Sequence, residues 1–525
     1  MWKPVCLTVA KTNRNTWILA AFVLSACLYA AFFFARPINL ATADLGRHII
    51  NGELIANGLT DVLYQNHYSF TEPDFPFVNH HWGSGLVFYH LHNLFGFNGL
   101  SVLYVLLSVL ALALMVGAGK KENWPVRGLV ALSVVSLFAY RVEVRPEGFS
   151  YALMGLYYFL FSRFRDGGMQ LKYLLPVLLV IQVLWVNLHI FFFFGMLIAG
   201  SFMVAELING KRDSLKPYLM IIGGLILVSL INPHLHKGLL APLTIFNEYG
   251  YMVAENQTLA FMHERFGNPE LFHFELFGLV SIILVIFAVV KKMWKPIMAE
   301  LLLVLLFGVL SVVAVRGIPM FALFFIPFAS SLLLRYLDGL HFKTRQTLNR
   351  IVPVTGIVFC LLFTALKGTY ASARDGYEGI GLVENIERCG NFMRSQQIPG
   401  KVFNNYDIGS YLIYYLYDRE KVFVDNRPEA YSVAFFDSIY KPMQEDELVW
   451  KTKSIEFGIN TICFYRHDNT PWAQPFLIER TKDPDWIPIY VDDASIILVR
   501  NSEANLPWIK KFALPREMFT GVPTK

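Results

Sequence analysis

The chain has 525 residues, of which 55% are hydrophobic and only 16% are charged. Soluble globular domains carry about 25% charged residues, so this composition excludes an ordinary soluble protein and indicates a membrane protein. The formal net charge of +5 is small and gives no reason to expect nucleic-acid binding. The cysteines do not form the pattern of a disulfide framework.

Apolar segments recur along the chain at lengths that suit membrane-spanning helices, which need about 20 residues. We predict about eleven spans. They lie at residues 17–35, 99–118, 128–142, 148–163, 173–188, 190–208, 217–232, 273–290, 298–315, 317–334 and 351–366.

The connectors between these spans differ in their basic residues, which collect in every second connector, as in GKKENWPVRG at 119–128. Cytoplasmic loops carry the excess of Lys and Arg, so we predict a cytoplasmic N-terminus. The first loop, 36–98, and the C-terminal region then lie outside. In this topology HWGSGLVFYHLHNLFG at 81–96 is an interfacial helix, because a span there would place Lys120 and Lys121 outside.

The composition becomes that of a soluble domain after the last span. Runs rich in Val, Ile, Phe and Tyr predict strands at 421–427, 459–466, 487–493 and 494–500, and the patterns at 411–420 and 431–457 are helical. We therefore predict two domains, a transmembrane domain at 1–366 that includes the first outer loop, and an outer soluble α/β domain at 367–525.

Two of the cysteines, Cys389 and Cys463, fall in this second domain. They can pair if the domain faces an oxidising compartment, or they can remain free thiols. The sequence leaves both alternatives open.

Polar residues gather at the predicted outer ends of the spans. They are Asp44, Arg47, His48, His81, Arg141, Glu143, Arg145, Glu147, Asn187, His189, Asn232, His236, Lys237, Glu255 and Arg316. A charge at the bilayer centre costs about 3 kcal/mol, so such residues line a cavity or pair with one another. We predict a polar cavity that opens outward, in which acids activate a hydroxyl group and basic residues hold a phosphate.

Several of these residues also have a structural interpretation. Asp44 is a preferred N-cap for the amphipathic helix that follows it, and His48 suits a structural hydrogen bond. The charges between 141 and 147 can pair at a helix end, and His189 can bond to the backbone of a tight turn. The first-loop histidines, His81 among them, match no defined zinc spacing.

Several segments carry a resemblance to a known family. They read ADLGRHIINGELIANG, YSFTEPDFPFVNHHW, RPEGFS, WVNLHIFFFFG, INPHLH and YDIGSYLIYYLYDREKVFVDNRPEAY. With the first-loop aspartate and the eleven-span layout, the chain resembles GT-C glycosyltransferases, and more narrowly a group of uncharacterised bacterial membrane proteins near that superfamily. The resemblance covers nearly the whole chain. It implies a polytopic α-helical membrane protein of GT-C type in a bacterial inner membrane.

The resemblance also implies an activity. A sugar would pass from a polyprenyl-phosphate donor to a glycan, lipid or protein acceptor at the non-cytoplasmic face, without nucleic acid. Asp44 takes the place of the first-loop acid, Glu143 is the second acid, and His48 joins the catalytic candidates. The candidates for binding the donor phosphate are Arg145, Arg316 and Lys237.

Some alternatives remain open. The chain lacks the Asp-x-Asp motif of other subfamilies, so a divalent metal such as Mg²⁺ or Mn²⁺ is neither required nor excluded. NNYDIGSYL at 404–412 and VDNRPEAY at 424–431 are candidates for docking an acceptor. The other functions are a transporter or flippase of a lipid-linked saccharide, which usually shows repeated halves, and a non-catalytic GT-C-like scaffold.

Overall fold

The computed structural model describes residues 6–245, 249–267, 269–338, 342–365 and 379–519. The chain divides into two compact units. The helical unit comprises Met1–Arg36, Ser101–Asn232 and Val253–Gly379, and the α/β unit comprises Pro37–Leu100, Pro233–Met252 and Ile380–Lys525. The predicted boundary at 366 remains a prediction, and the first loop belongs to the same unit as the C-terminal region.

The helical unit consists of apolar helices joined by short connectors. Their bounds are Cys6–Phe34, Trp124–Phe138, Glu147–Arg165, Leu171–Leu188, Phe193–Ile208, Leu215–Val228, Leu259–Phe266, Pro269–Val290, Met298–Val313, Ile318–Asp338 and Phe342–Ala365. A further helix, Trp82–Gly117, runs through both units. Every predicted span overlaps a helix.

Seven stretches of the described residues are long and apolar enough to cross a membrane. They are Trp17–Phe34, Trp82–Gly117, Leu171–Leu188, Ile190–Ile208, Leu271–Val290, Lys295–Val313 and Val315–Asp338, and Trp124–Phe138 and Ile351–Leu362 are shorter apolar helices. These helices confirm the predicted class of polytopic helical membrane protein. The count of eleven spans remains a prediction.

The helices of this unit differ in how far they are enclosed. In the most apolar part of Val315–Asp338, 83% of the residues are buried, and Phe324 of this stretch stacks on Phe307 with ring centroids 4.8 Å apart. In the most apolar part of Leu271–Val290 only 17% of the residues are buried, and side chains such as Ile283 are exposed. An apolar helix with so much exposed surface is suited to contact lipid.

The helix Trp82–Gly117 is interrupted at Gly96, where the backbone adopts φ 60° and ψ −160°. Residues with a Cβ avoid this conformation, so glycine is required there. The interruption falls at the end of the predicted interfacial helix. The position of that helix at a lipid surface remains a prediction.

The α/β unit is built on a sheet of four strands in the order β1-β2-β4-β3. The strands are β1 (Val402–Asn404), β2 (Thr461–Tyr465), β3 (Trp486–Val491) and β4 (Ser495–Arg500). The β1–β2 pair is parallel, and β4 is antiparallel to both of its neighbours. The helices of the unit are Leu45–Ala56, His236–Thr244, Arg388–Ser395, Gly409–Leu416, Val433–Phe435, Pro442–Glu445, Glu447–Glu456, Ala473–Lys482 and Leu506–Phe512.

The prediction of a strand at 421–427 is wrong, and β1 was not predicted. In that run only Val422 forms isolated bridges, to Val402 and Ser69. The backbone of this run bonds to the side chain of Asn404 instead of pairing with a neighbouring strand. Asn404 Oδ1 accepts from Phe423 N at 3.0 Å, and its Nδ2 donates to Val424 O at 2.7 Å. A buried apolar run therefore stays irregular because a side chain satisfies its backbone.

Cys389 and Cys463 are both free thiols and both are fully buried. Cys389 lies in the helix Arg388–Ser395 and Cys463 in β2. Of the two alternatives left by the sequence, the structure contains the free thiols.

Candidate functional site

Charged residues of the helical unit meet where its helices end. Arg141 and Arg145 follow the helix Trp124–Phe138, and Glu147 begins the next helix. Glu255 lies in the turn Ala254–Asn256, and Arg316 in the turn Val315–Gly317. We call these five residues the arginine cluster.

The cluster is joined by ion pairs that cross between connectors. Arg141 pairs with Glu147, and its Nη2 lies 3.4 Å from Glu255 Oε1. Arg145 Nη1 approaches the same Glu255 oxygen at 3.0 Å. Arg316 Nη2 lies 3.7 Å from Glu147 Oε2. Two carboxylates are thus shared among three guanidinium groups.

Burial strengthens these interactions. The side chain of Glu147 is 3% exposed, and those of the three arginines are 11% to 20% exposed. Burial by itself raises the pKa of Glu255, but the adjacent Arg141, Arg145 and Arg316 together hold it well below its usual value. Glu255 is therefore ionised.

Glu143, predicted to be the second acid, lies at the edge of this cluster. Its side chain is 48% exposed and is 2.7 Å from Arg145 Nη2. The buried carboxylates are those of Glu147 and Glu255, which the sequence placed only among the pocket residues. A catalytic role for Glu143 remains a prediction.

Three further pocket candidates of the helical unit make structural hydrogen bonds. His189 Nδ1 lies 2.8 Å from Ser150 Oγ. Asn187 Nδ2 donates to the backbone oxygens of Val183 and Ile231, and Asn232 Nδ2 donates to Ser229 O at 2.8 Å. The contact of His189 is with a side-chain hydroxyl, whereas the interpretation from the sequence was a bond to the backbone, and the predicted roles of the three residues in a pocket remain predictions.

Asp44 belongs to the α/β unit, where it directly precedes the helix Leu45–Ala56. It occupies the N-cap position, but its side chain makes no capping hydrogen bond. The capping interpretation therefore does not account for this carboxylate. Its predicted convergence with Glu143, Arg145 and Arg316 remains a prediction.

The helix after Asp44 buries Arg47 and His48. Arg47 N donates to Ser410 Oγ at 2.9 Å, and Arg47 Nη2 lies 3.5 Å from His48 Nε2. The His48 ring is 5.4 Å from that of His81, centroid to centroid, in an edge-on arrangement. Two histidines of the predicted site thus lie together in this unit.

Tyr406 lies near two carboxyl groups, those of Asp44 and Glu429. Burial raises the pKa of the Tyr406 phenol, and the nearby Tyr249, Glu429 and Asp44 raise it further. Glu429 did not appear among the predicted site residues. Its segment, VDNRPEAY, was noted only as a possible docking surface, and nothing local in it marks a neighbour of Asp44.

Comparisons with known proteins decide the fold. No family model and no curated protein matches the chain. The archaeal oligosaccharyltransferase AglB of Archaeoglobus fulgidus, in complex with an inhibitory peptide and a dolichol-phosphate, matches with a TM-score of 0.57 and 13% identity over 94% of this chain and 75% of its own. ArnT of Cupriavidus metallidurans, bound to undecaprenyl phosphate, matches with a TM-score of 0.52 and 11% identity over 93% and 99%. Both are GT-C membrane glycosyltransferases.

This chain has the GT-C fold. A third similar structure is the A. fulgidus oligosaccharyltransferase in complex with Zn and sulfate, with a TM-score of 0.51 and 12% identity over 91% of this chain and 73% of its own. The predicted resemblance is confirmed at the level of the fold. The chain is accordingly a multi-pass integral membrane protein.

Two further site candidates lie in the α/β unit, in the helix His236–Thr244. His236 and Lys237 are both exposed there. Lys237 was predicted to bind the donor phosphate together with Arg145 and Arg316, which belong to the helical unit. Its role remains a prediction.

A divalent metal would need a group of ligands such as carboxylates and imidazoles. Among the described residues of this GT-C chain, no three His, Cys, Asp or Glu side chains are grouped so as to hold a metal ion. The binding of a divalent metal such as Mg²⁺ or Mn²⁺ remains a prediction.

Proposed function

We propose that the chain is an integral membrane glycosyltransferase that moves a sugar from a polyprenyl-phosphate carrier to an acceptor at the non-cytoplasmic face. The observation that carries this proposal is the arginine cluster, a largely buried group of three arginines and two shared carboxylates in a GT-C fold. A polar cluster of this kind is costly in a membrane protein unless it has a use.

The donor phosphate would be bound by the arginines. Guanidinium groups form paired, charge-assisted hydrogen bonds with phosphate oxygens. Arg141 is held between the enclosed carboxylates of Glu147 and Glu255. Arg145 shares Glu255 and otherwise pairs with Glu143, which is 48% exposed, and Arg316 Nη2 is 3.7 Å from Glu147, so Arg145 and Arg316 are the better phosphate ligands. Among the described residues, no partner bonds to Arg316 Nε, which is buried. The similar structures bind dolichol-phosphate, undecaprenyl phosphate and sulfate, anions of the same kind.

Asp44 would act as the base. In the transfer, an acceptor oxygen forms a bond to the anomeric carbon of the sugar while the bond from that carbon to the phosphate oxygen breaks. The electron pair of the broken bond leaves with the polyprenyl phosphate, and the acceptor proton passes to Asp44. Positioned carboxylates accelerate such proton transfers by about 10² to 10⁴-fold.

The test is an assay of the purified full-length protein with radiolabelled polyprenyl-phosphate sugars and membrane extract as the source of acceptor. Wild type should produce labelled product, and Asp44→Asn should lose it while keeping its thermal stability. Asp61→Asn, a change at an exposed aspartate of the same loop, should retain transfer. Equal transfer by Asp44→Asn would remove Asp44 as the base, and a wild type inactive with every donor would favour the scaffold.

A further inference from the structure

The segments on either side of Asp44 and Glu429 are joined by hydrogen bonds within the α/β unit. Arg47 N, in the first turn after Asp44, donates to Ser410 Oγ at 2.9 Å. Ser410 N in turn donates to Asn426 Oδ1 at 2.8 Å, three residues before Glu429. Two carboxyl-bearing segments, far apart in the sequence, are therefore fixed beside the same serine.

Close backbone contact reinforces this arrangement. A Cβ at Gly46 would lie 2.6 Å from Ser410 O, so only glycine lets the helix Leu45–Ala56 approach so closely. Asn426 Nδ2 also donates to Asp407 O at 3.0 Å, which ties the turn containing Glu429 to the residue after Tyr406. The first-loop helix, the Tyr406–Ser410 turn and the Glu429 turn thus form one assembly.

Two buried hydrogen-bond donors, Arg47 and Tyr406, belong to this assembly. Arg47 is 3% exposed and Tyr406 is 4% exposed. Within the part of the chain that the structure describes, Arg47 Nε and the Tyr406 hydroxyl have no hydrogen-bond partner. Asp44 and Glu429 themselves are partly exposed, so a ligand can reach them. Buried polar groups are nearly always paired, so two unpaired donors beside two accessible acids indicate a place for an oxygen-rich ligand.

Arg427, close to Glu429 in the sequence, is already engaged by a carboxylate. Arg427 is held in a bidentate pair by Asp425, with both contacts at 2.7 Å, and its Nη2 donates to Asn66 Oδ1 at 2.7 Å. Because Arg427 is already neutralised by Asp425, the positive charge left near Glu429 is that of Arg47. A neutral ligand with several hydroxyl groups meets less repulsion from Asp44 and Glu429 than an anionic ligand would.

We propose that Glu429 binds the acceptor beside Asp44, and that the acceptor is a hydroxyl-rich, uncharged group of the carbohydrate type. This inference rests on the proposed glycosyltransferase function. Glu429 and Arg47 hold neighbouring oxygens of the acceptor, and the hydroxyl that reacts lies at Asp44. Hydrogen bonds to several hydroxyls at once fix the acceptor in the orientation that transfer requires.

The test separates acceptor binding from donor chemistry. The full-length protein is assayed with the radiolabelled polyprenyl-phosphate sugar that wild type uses, once with membrane extract over a dilution series and once with buffer alone. Glu429→Gln should need at least tenfold more extract for half-maximal transfer, while slow release of free sugar to water stays at the wild-type rate. Glu503→Gln, at an exposed glutamate of the same unit, should behave as wild type in both assays.

Other outcomes overturn the inference without ambiguity. A wild-type dilution curve for Glu429→Gln removes Glu429 from the acceptor site, although the proposed function stands. An equal loss of transfer and of sugar release would show that Glu429 acts on the donor or on the fold. A wild type that neither transfers nor releases sugar refutes the proposed function itself. If pretreatment of the extract with a glycosidase leaves acceptor activity intact and a protease abolishes it, the acceptor is not a carbohydrate.

Discussion

The two clusters of the molecule treat buried charge differently. In the arginine cluster of the helical unit, Glu147 and Glu255 are each shared by two arginines, and Arg316 Nε has no hydrogen-bond partner among the described residues. Around Asp44 in the α/β unit, Arg47 Nε and the Tyr406 hydroxyl remain without partners among the described residues. The first arrangement, with three arginines, suits the proposed anionic donor, whereas the second, with accessible acids, suits the proposed neutral acceptor. Substitutions in the two clusters should therefore have different effects on stability and on ligand binding.

The largest effect is expected from removing a shared carboxylate. Glu147→Ala removes the carboxylate that pairs with Arg141 and Arg316. Leaving these largely buried charges without it lowers the free energy of unfolding by about 3 to 5 kcal/mol. Thermal unfolding of the detergent-solubilised protein measures this loss. Glu143→Ala is the matched control, because an exposed pair contributes at most about 1 kcal/mol. Equal shifts in the two variants would mean that the cluster is not a buried network.

A smaller effect is expected for the donor. Arg316→Gln removes one charge-assisted contact, worth about 1.5 to 3 kcal/mol, so the affinity for undecaprenyl phosphate should fall roughly 10- to 100-fold. Titration of the lipid phosphate against the purified protein measures the affinity. Arg163→Gln, at an exposed position near the other end of the helix Glu147–Arg165, should bind as wild type does. Unchanged binding by Arg316→Gln would exclude Arg316 from the phosphate site.

The smallest effect is expected in the pH dependence of stability, where the two regions should differ in sign. The pKa of Glu255 is lowered, since three arginines outweigh its burial, so its stabilising contribution is present above about pH 4.3 and is lost as the pH falls further. The pKa of Glu429 is raised, chiefly by burial, so its contribution is present at low pH and is lost as the pH rises above about 4.3.

Two glutamine variants test this contrast. At pH 7, Glu255→Gln should lower the unfolding temperature, and Glu429→Gln should raise it, because it removes the charge whose burial is unfavourable. The Glu429→Gln difference should shrink as the pH falls toward about 4.3, whereas the Glu255→Gln difference should persist to about pH 4.3 and shrink only below it. Unfolding curves of wild type and both variants from pH 7 to below pH 4 provide the measurement. Shifts of the same sign in the two variants would contradict the proposed difference.

The helical unit was predicted more completely than the α/β unit, for a physical reason. A membrane helix satisfies its own backbone, so an apolar run is sufficient to locate it, and every predicted span overlaps a helix. The strand predicted at 421–427 failed because its backbone bonds to the side chain of Asn404, a distant residue. Local residue preferences contain no information about such a partner.

The site shows the same limit. Charged residues near the ends of spans were correctly singled out, and Arg141, Arg145, Glu147, Glu255 and Arg316 do meet. Which carboxylates are buried was not predictable, since that depends on how separate connectors pack. Glu429 was missed because its proximity to Asp44 arises only when the first-loop helix docks on the turn at Ser410.

The α/β unit is assembled from Pro37–Leu100, Pro233–Met252 and Ile380–Lys525. During synthesis its first segment is made long before the last, so the helix that follows Asp44 emerges without the serine turn that it will contact. The apolar face of this helix lacks its packing partners until almost the entire polypeptide has been translated, and lipid or a chaperone must shield it until then. Ribosome stalling or truncation upstream of the sheet would therefore leave the membrane-spanning helices inserted without the sheet of the α/β unit.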